Sequence, residues 1–416
     1  MTSKEAIGAV TPSWVTQEYF KSIVANEIEN FSKITKFSVE SGSPPGENYA
    51  SIMLRILIEA ELNDGSSQDL SLMMKTTHSL DTDAGKMVAD MGIFAKENDI
   101  YDNFLPTFEK MYLEKGRKIV FGPKSFKLDK DPGVDTVVLE DLRPKKFKNA
   151  NRLEGLDLDH TKSVLKKLAE YHAVSAVYYE TIGPFPEIFN IGMLDPAKKD
   201  FYVPMYSGMM DVIKASFEKN VDNGKYYADK IFVDIGDMLD KTFEACRIKE
   251  EEFNVLNHGD SWSNNFMFKY NDKGEREETI LVDFQICKYG TPAQDLLYFL
   301  FSSPNQEIRL REFDYFIKCY HDNLIENLIL LEYPKTLPTL SSLHIAILRN
   351  HQWAIATIYS TLAIVLLEPT DNANMDNFWK ADEEGTGFKN QVYSNPKYIT
   401  CLNDILPWLD KRGMLE

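Results

Sequence analysis

The chain has 416 residues, which is long enough for two lobes that each bury a core. Hydrophobic residues make up 44% of it and charged residues 26%, as is typical of globular proteins in water. The net charge of −18 argues against binding along a nucleic-acid backbone, which needs basic patches, whereas a metal ion and one or two lysines suffice for ATP.

Signals for export, membrane insertion and disulfide formation are missing from the sequence. The start of the chain lacks the apolar segment of a secretory signal, and its end carries no lipidation or retention motif. The longest apolar stretch, 355–367, is too short to cross a bilayer. The four scattered cysteines favour reduced thiols, with two disulfides as the alternative. We therefore expect a cytoplasmic protein that binds neither membranes nor nucleic acid.

The first part of the chain predicts a helix followed by an antiparallel pair of strands. Apolar residues recur at helical spacing over 14–33, and a break containing Gly and Pro follows at 41–46. Apolar and polar residues alternate from 50 to 62, as in a half-buried strand, and a turn at 63–65 leads to a returning strand that ends at Lys75. This arrangement is typical of the sheet that covers ATP in kinases. The break either approaches phosphate or forms a plain loop.

Lys75 and Glu97 form a candidate ion pair. Lys75 ends the second strand, where a kinase fold places the lysine that binds phosphates. A helix is predicted at 83–105, and Glu97 lies within it, 22 residues after the lysine, where it can hold the ammonium. The alternative is an exposed strand end and a solvated helix charge, which are the usual surroundings of such residues. The motif further along the chain favours the pair.

A hinge between two lobes is predicted after a further strand. Apolar runs at 119–128 suggest a strand with a break, and the strand at 136–142 ends in acidic residues before an Arg-Pro pair. Backbone groups from Glu140 to Leu142 are then placed to hydrogen-bond the edge of adenine. An ordinary acidic strand end at the surface is the alternative.

The region after residue 158 is predicted to be mainly helical. Apolar residues line one stripe of a helix at 158–178, on which His172 is more typical of a packed core than of catalysis. An insert rich in aromatic residues, 183–210, either walls a substrate pocket or covers a core. The further predicted helices cover 211–217, 226–243, 305–331, 337–367 and 396–411.

The stretch 257–265 carries the candidate chemistry. It reads H-G-D-x-x-x-x-N, with Asp260 and Asn265 five residues apart, and Asp283 ends an apolar run 23 residues after Asp260. Phosphoryl transfer needs such a set, because one Asp orients the acceptor hydroxyl and takes its proton, while an Asn and a second Asp hold Mg²⁺. Gly259 and Gln285 stand where protein kinases have Arg and Gly, which favours a kinase of small molecules.

Turn chemistry is the alternative for this stretch, since Asp, Gly, Asn and Ser are common in loops. Its flanks favour the functional interpretation, because an apolar approach at 253–256 and a hairpin with its turn at 271–274 lead towards Asp283. Asp295 lies at the start of an apolar helix. We expect it either to accept hydrogen bonds from the loop or to cap its own helix.

Together these residues resemble the ecdysteroid kinase-like (CHK-kinase-like) family of arthropods, which is related to choline kinases and aminoglycoside phosphotransferases. The resemblance extends over nearly the whole chain and is most specific at the two catalytic stretches. It is carried by 46–51, Lys75, 94–97, 138–142, 168–173, His258-Gly259-Asp260 with Trp262 and Asn264-Asn265, and 282–285.

The resemblance implies an α+β, two-lobed protein-kinase-like fold, with an antiparallel β N-lobe at 1–142 and a mainly helical C-lobe at 143–416. It also implies ATP and Mg²⁺ as cofactors. The implied site residues are the base Asp260, the metal ligands Asn265 and Asp283, and the ATP-binding residues Lys75, Glu97, Glu140 and Leu142.

The implied reaction transfers the γ-phosphoryl of MgATP to a hydroxyl of an ecdysteroid or a similar hydroxylated apolar compound, in hormone inactivation or detoxification. The partner is thus a small-molecule alcohol, with steroids among the candidates. One alternative is a kinase of a cationic alcohol such as choline or an amino sugar. Another is a nucleotide-binding scaffold without turnover, against which the intact Asp260 and Lys75 argue. A metal hydrolase is disfavoured, because His258 has no second histidine nearby.

Overall fold

The computed structural model describes residues 11–42, 51–77, 92–369 and 383–416. Its N-terminal part is a five-stranded antiparallel sheet in the order β1-β2-β3-β5-β4, which places Lys75 on the middle strand. The strands are β1 (Phe31–Ser41), β2 (Ile52–Leu62), β3 (Ser67–Thr76), β4 (Ser125–Phe126) and β5 (Thr136–Glu140).

Alternation along β2 explains how the sheet buries one of its faces. Every second residue in the middle of the strand is buried, and the residues between them are half-buried. This face packs against helix α1 (Lys21–Glu27) in a small core that belongs to the sheet. The buried residues of β2 are Leu54, Ile56, Ile58 and Ala60.

The helix predicted at 14–33 is wrong in its extent. The α-helix covers only Lys21–Glu27, and β1 already begins at Phe31. Ile28 has an extended backbone and Asn30 a left-handed one, with a φ of 58°, so the chain turns here. The predicted helix therefore extended past its true end into the first strand.

An interrupted helical segment connects β3 to the rest of the molecule. The helix predicted at 83–105 falls partly outside the described residues. Its described part consists of α2 (Ile93–Asp99) and a π-helical turn (Ile100–Phe104), and α3 (Leu105–Glu114) follows directly. Such π-turns are rare and often occur at functional sites. The buried apolar residues of this segment belong to the large core of the helical part.

The C-terminal part consists mainly of helices around two small sheets. β6 (Phe147–Lys148), β8 (Phe266–Tyr270) and β9 (Arg276–Leu281) form one sheet, and β7 (Val255–Asn257) pairs with β10 (Lys288–Gly290) in the other. The helices are α4 (Leu158–Thr181), α5 (Lys199–Asn220), α6 (Gly224–Ile231), α7 (Ile235–Ala245), α8 (Ala293–Ser302), α9 (Gln306–Arg309), α10 (Phe313–Leu330), α11 (Leu340–Arg349), α12 (His351–Tyr359), α13 (Thr361–Val365), α14 (Glu383–Tyr393) and α15 (Pro396–Asp410).

One further prediction differs from the structure, and one is made more specific by it. The apolar run 119–123 is not a strand, although the Phe121 carbonyl accepts the Leu281 N–H at 2.7 Å beside β9. The aromatic insert at 183–210 is partly helical, because α5 begins at Lys199. Its aromatic and methionine side chains fall at helical spacing and bury one face of α5 in the core.

The predicted fold class is confirmed, since an antiparallel β region and a helical region form a two-lobed α+β fold of the protein-kinase-like type. The predicted boundary at Leu142 stays a prediction. Buried residues on both sides of it, such as Phe108 and Leu165, share one core. Within the described ranges, every helix is too short or too polar to cross a membrane.

Candidate active site

The loop 257–265 is held in place by one carboxylate. The Asp295 side chain, in the first turn of α8, accepts the backbone N–H groups of His258 at 2.6 Å and Gly259 at 2.9 Å. His172, predicted to be a packed core residue, is buried and donates to the same carboxylate at 3.0 Å. Burial opposes ionisation of Asp295, but the hydrogen bonds outweigh it and lower its pKa. Of the two predicted roles for Asp295, the structure shows the one towards the loop.

Gly259 occupies a position that tolerates no side chain. Its φ is 83°, in the left-handed region, and a Cβ there would lie 2.2 Å from the carbonyl oxygen of Ile286. The neighbouring His258 accepts the Asp260 N–H on Nδ1 at 3.3 Å and donates from Nε2 to the Val282 carbonyl at 3.0 Å. The loop is thus fixed to the segment that follows β9.

Asp260 has both carboxylate oxygens in hydrogen bonds. The Tyr298 hydroxyl donates to Oδ1 at 2.7 Å, and the Asn265 amide donates to Oδ2 at 2.9 Å. Burial raises the pKa of Asp260, and the negative charge of Asp283 raises it further. A carboxylate with a raised pKa accepts a proton more readily, which suits a general base.

Asp283 has an unusual backbone conformation. Its φ of 68° lies in the left-handed region, where residues other than glycine are uncommon. The Tyr101 hydroxyl, in the π-helical turn, accepts the Asp283 N–H at 3.2 Å. The preceding Val282 N–H donates to the Asn265 carbonyl at 3.0 Å. These bonds hold the turn that brings the partly exposed Asp283 carboxylate to Lys75.

Among the described residues, Lys75 makes three polar contacts in the interior of the molecule. Its ammonium nitrogen lies 2.8 Å from Glu97, 2.6 Å from Asp283 and 3.1 Å from Gln285. Burial disfavours the charge on Lys75, but the two carboxylates outweigh this effect and raise its pKa. Burial raises the pKa of Glu97 to about 7, against the influence of Lys75. The predicted pair of Lys75 and Glu97 is therefore in contact, and Asp283 completes it.

The predicted adenine segment, 140–142, begins at the last residue of β5, and two of its three backbone N–H groups already have acceptors. The Glu140 N–H donates to the Lys124 carbonyl at 2.8 Å, and the Asp141 N–H donates to the Ser71 carbonyl at 3.3 Å. The Leu142 N–H has no acceptor among the described residues. Of the three N–H groups, that of Leu142 is therefore the one that remains without an acceptor in the described part of the chain.

Most of the predicted phosphate loop, 43–46, lies outside the described residues. At its near edge, the Gly42 N–H donates to the Met53 carbonyl at 2.8 Å, and the Gly42 carbonyl accepts from Arg143 at 2.5 Å. Gly42 is thereby tied both to β2 and to the hinge.

Several supporting residues were missed from the sequence. Tyr101 and Tyr298 hydrogen-bond the two key aspartates, and Arg55 donates to the buried Asp141 carboxylate at 2.7 Å. These contacts join segments that are far apart in the chain, so local pattern gives no signal for them. Tyr298 is the exception, because its position three residues after Asp295 on the same apolar helix indicates that both side chains lie on one face.

A divalent metal ion at this site would depend on oxygen ligands. In the part of the chain that the structure describes, no three His, Cys, Asp or Glu side chains are grouped as a metal site. The Asn265 amide nitrogen is used towards Asp260, which leaves its oxygen as a ligand, and the Asp283 carboxylate is 32% exposed. An amide oxygen and a carboxylate suit Mg²⁺, which usually keeps water and phosphate oxygens as its other ligands. The residues therefore fit this ion.

The fold is of the protein-kinase-like type, and the predicted site residues Lys75, Glu97 and Asp283 are in contact within it. The model of the ecdysteroid kinase-like family matches residues 45–333, which is more than half of the chain. The chain therefore belongs to the ecdysteroid kinase-like family.

A solved structure that resembles this one is the choline kinase from Cryptosporidium parvum, with 12% sequence identity and a TM-score of 0.48. The similarity covers 96% of this chain and 98% of that chain. At this distance the likeness carries no conclusion about the acceptor. No curated protein sequence matches this chain significantly.

Proposed function

We propose that the protein transfers the γ-phosphoryl group of MgATP to a hydroxyl of an ecdysteroid or a similar hydroxylated apolar compound. One observation carries the proposal: Lys75, Glu97 and Asp283, from three separate segments, form one ion-pair network at 2.8 and 2.6 Å. A lysine held by a glutamate beside a metal-binding aspartate is the arrangement with which kinases bind ATP phosphates. Membership of the ecdysteroid kinase-like family supports the steroid class of acceptor.

The phosphate side of the site, which consists of Lys75, Glu97 and Asp283, would bind the triphosphate. Phosphate oxygens would take the place that Asp283 holds on the Lys75 ammonium, and Glu97 would keep that ammonium oriented. Asp283 and Asn265 would then hold Mg²⁺. The ion, when bound, neutralises charge on the phosphate oxygens.

The acceptor side of the site is Asp260, whose Oδ2 accepts the Asn265 amide N–H. The Asp260 carboxylate would orient the acceptor hydroxyl and take its proton as the new O–P bond forms. The bond between the γ-phosphorus and the bridging oxygen breaks, and ADP leaves with that oxygen. The raised pKa of Asp260 supports this role, because it makes the carboxylate a better proton acceptor.

The hinge would bind adenine through its backbone. The Leu142 N–H, which has no acceptor in the described part of the chain, would donate to a ring nitrogen. The Glu140 N–H already donates to the Lys124 backbone carbonyl, so Glu140 would instead accept from the adenine amino group with its own carbonyl oxygen. A hydrogen bond of this kind is worth about 1 kcal/mol.

Aromatic contacts beside the base favour an apolar acceptor. The Tyr298 ring centroid lies 6.4 Å from that of Trp353, and the Tyr298 hydroxyl reaches Asp260. A cationic alcohol would instead be served by several carboxylates that converge near the base. Asp283, the carboxylate that raises the pKa of Asp260, is already ion-paired with Lys75 and therefore does not offer a free negative charge to a cationic acceptor. Phosphorylation would turn the apolar acceptor into a charged conjugate, as hormone inactivation or detoxification requires.

The direct test is ADP release by the purified protein with MgATP and a panel of acceptors. The panel contains ecdysone, 20-hydroxyecdysone, choline, aminoglycosides and hydroxylated plant metabolites, and mass spectrometry identifies the phosphorylated product. The blank is Asp283→Ala. The matched control is Asp272→Ala, because the Asp272 side chain is 94% exposed and lies in a surface turn.

Stimulation by a steroid that is lost in Asp283→Ala and retained in Asp272→Ala would support the proposal. Stimulation by choline or an aminoglycoside would keep the kinase and replace the acceptor class. No stimulation by any acceptor, with MgATP still bound, would favour a scaffold without turnover and overturn the proposal.

A further inference from the structure

Helix α8 presents two polar side chains to the catalytic loop. Asp295 in its first turn binds the backbone of the loop, and its carbonyl oxygen accepts the Ser261 hydroxyl at 3.0 Å. Tyr298 follows three residues later, so it lies on the same face of the helix, one turn further on. The backbone of the loop and the side chain of Asp260 are therefore positioned by the same rigid element.

The Tyr298 hydroxyl is held by a packed ring. It donates to Asp260 Oδ1 at 2.7 Å. The phenol ring is only 6% exposed and packs near Trp353. A buried ring has few rotamers available, so packing fixes the position of the phenolic oxygen beside Asp260.

Asp260 is consequently anchored at both oxygens. Tyr298 binds Oδ1, and the Asn265 amide binds Oδ2 at 2.9 Å. Two donors at opposite ends of a carboxylate fix its plane, while each oxygen keeps a second lone pair for another donor. The acceptor hydroxyl of a substrate can therefore bind Asp260 without displacing either partner.

We propose that Tyr298 is a positioning residue for phosphoryl transfer, whose hydroxyl holds the Asp260 carboxylate in the orientation needed to receive the acceptor proton. This inference rests on the proposed function. The effect is on the chemical step, because a rotated carboxylate loses alignment with the acceptor hydroxyl while the phosphate side is untouched.

A Tyr298 hydroxyl that competed with the acceptor for Asp260 would have the opposite effect on the rate. If the Tyr298 hydroxyl occupied the place of the acceptor hydroxyl, a substrate would have to displace it before reacting. Removal of the phenolic oxygen would then lower KM for the acceptor or raise kcat. The sign of the change in rate therefore separates a positioning residue from a competitor.

The test is Tyr298→Phe, which removes one oxygen and keeps the packed ring. Acceptor-dependent ADP release is measured with 20-hydroxyecdysone, and MgATP hydrolysis is measured without acceptor. We expect kcat to fall about 10- to 100-fold, as for loss of a hydrogen bond to a charged group, while KM for MgATP stays within about twofold. The matched control is Tyr398→Phe, because Tyr398 is also buried and donates to a distant carbonyl, that of Ile358, at 3.0 Å.

A second variant separates positioning from general damage to the fold. In the background of Asp260→Asn, the Tyr298→Phe change should lower the remaining rate by less than about twofold, since the two residues act as one unit. Losses that multiply, an unchanged kcat in Tyr298→Phe, or a faster enzyme would each overturn the inference. A wild-type protein without any kinase activity would instead overturn the proposed function, and the inference with it.

Discussion

The phosphate side of the site is held by ion pairs between distant segments, whereas the acceptor side is held by hydrogen bonds around one helix. Lys75 meets Glu97 and Asp283, which lie 22 and 208 residues away in the chain. Asp260 instead belongs to a loop whose backbone is bound by Asp295 on α8. The first arrangement brings together three separate segments of the chain, and the second is organised by the side chains of one helix.

This difference matters because the two sides have different tasks. Charges that are buried together remain stable only while every partner is present, so the phosphate side contributes to stability and to nucleotide binding at once. A base needs a fixed orientation and room for its proton, which hydrogen bonds supply without a net charge on the partners. Damage to the phosphate side should therefore affect folding and binding together, and loss of the base Asp260 itself should affect turnover alone.

The largest effect is expected for Asp260→Asn, which breaks the acceptor side. The amide cannot take the acceptor proton, so kcat should fall by about 10² to 10⁴. The Kd for MgATP, measured by calorimetry, should stay within about twofold, because Asp260 does not contact Lys75 in the described structure. Loss of nucleotide binding in this variant, but not in Asp272→Asn, would contradict the division into two sides.

Lys75→Met breaks the phosphate side and should act on stability as well as on binding. Glu97, which is 1% exposed, would lose its cation, and such losses cost about 3–5 kcal/mol of the free energy of unfolding. The loss should be smaller at pH 5 than at pH 8 in urea unfolding. Burial raises the pKa of Glu97, so at the lower pH this carboxyl can be buried in its neutral form.

Glu97→Gln provides the comparison for this variant. Lys75 keeps Asp283 as a partner, so the free energy of unfolding should fall less than in Lys75→Met. Equal destabilisation by both variants would show that the ion pair between Lys75 and Asp283 does not contribute to the free energy of unfolding.

Asp295→Asn tests the support of the acceptor side. The pKa of Asp295 is lowered in the folded protein, so its contribution to stability is present above about pH 4 and is lost as the pH falls further. We expect the variant to lose about 3 kcal/mol at pH 7 and to show a shallower decline in stability below pH 4 than the wild type. If stability fell equally steeply below pH 4 in the variant and in the wild type, Asp295 would not be the source of this pH-dependent stability.

The smallest effect is expected at the hinge. Leu142→Pro removes the N–H proposed to bind adenine, and its φ of −80° is compatible with proline. KM for MgATP should rise about five- to tenfold, which corresponds to one lost hydrogen bond. Leu142→Met keeps the N–H and serves as the control, with KM near the wild-type value. An unchanged KM for MgATP in the proline variant would show that the Leu142 N–H does not bind adenine.

Much of the N-terminal sheet was predictable because strands bury alternate residues. The alternation in β2 and the turn after it were sufficient to predict two antiparallel strands with Lys75 at the end of the second. The first strand was missed, since the helix ends at Glu27 and Asn30 turns the backbone into β1, which apolar spacing does not show. The hinge was predicted as a segment, but which of its N–H groups lack an acceptor depends on neighbouring strands.

The sequence by itself determined the chemistry that the site can offer, because the types and spacing of Asp260, Asn265 and Asp283 are local properties of two short stretches. Only the tertiary structure decided how these groups are held. Lys75 meets Asp283, Tyr101 meets the Asp283 backbone and Tyr298 meets Asp260 through contacts across long separations in the chain. Periodicity reports which face of an element is buried, whereas the partner that covers this face is chosen by the packing of the whole molecule.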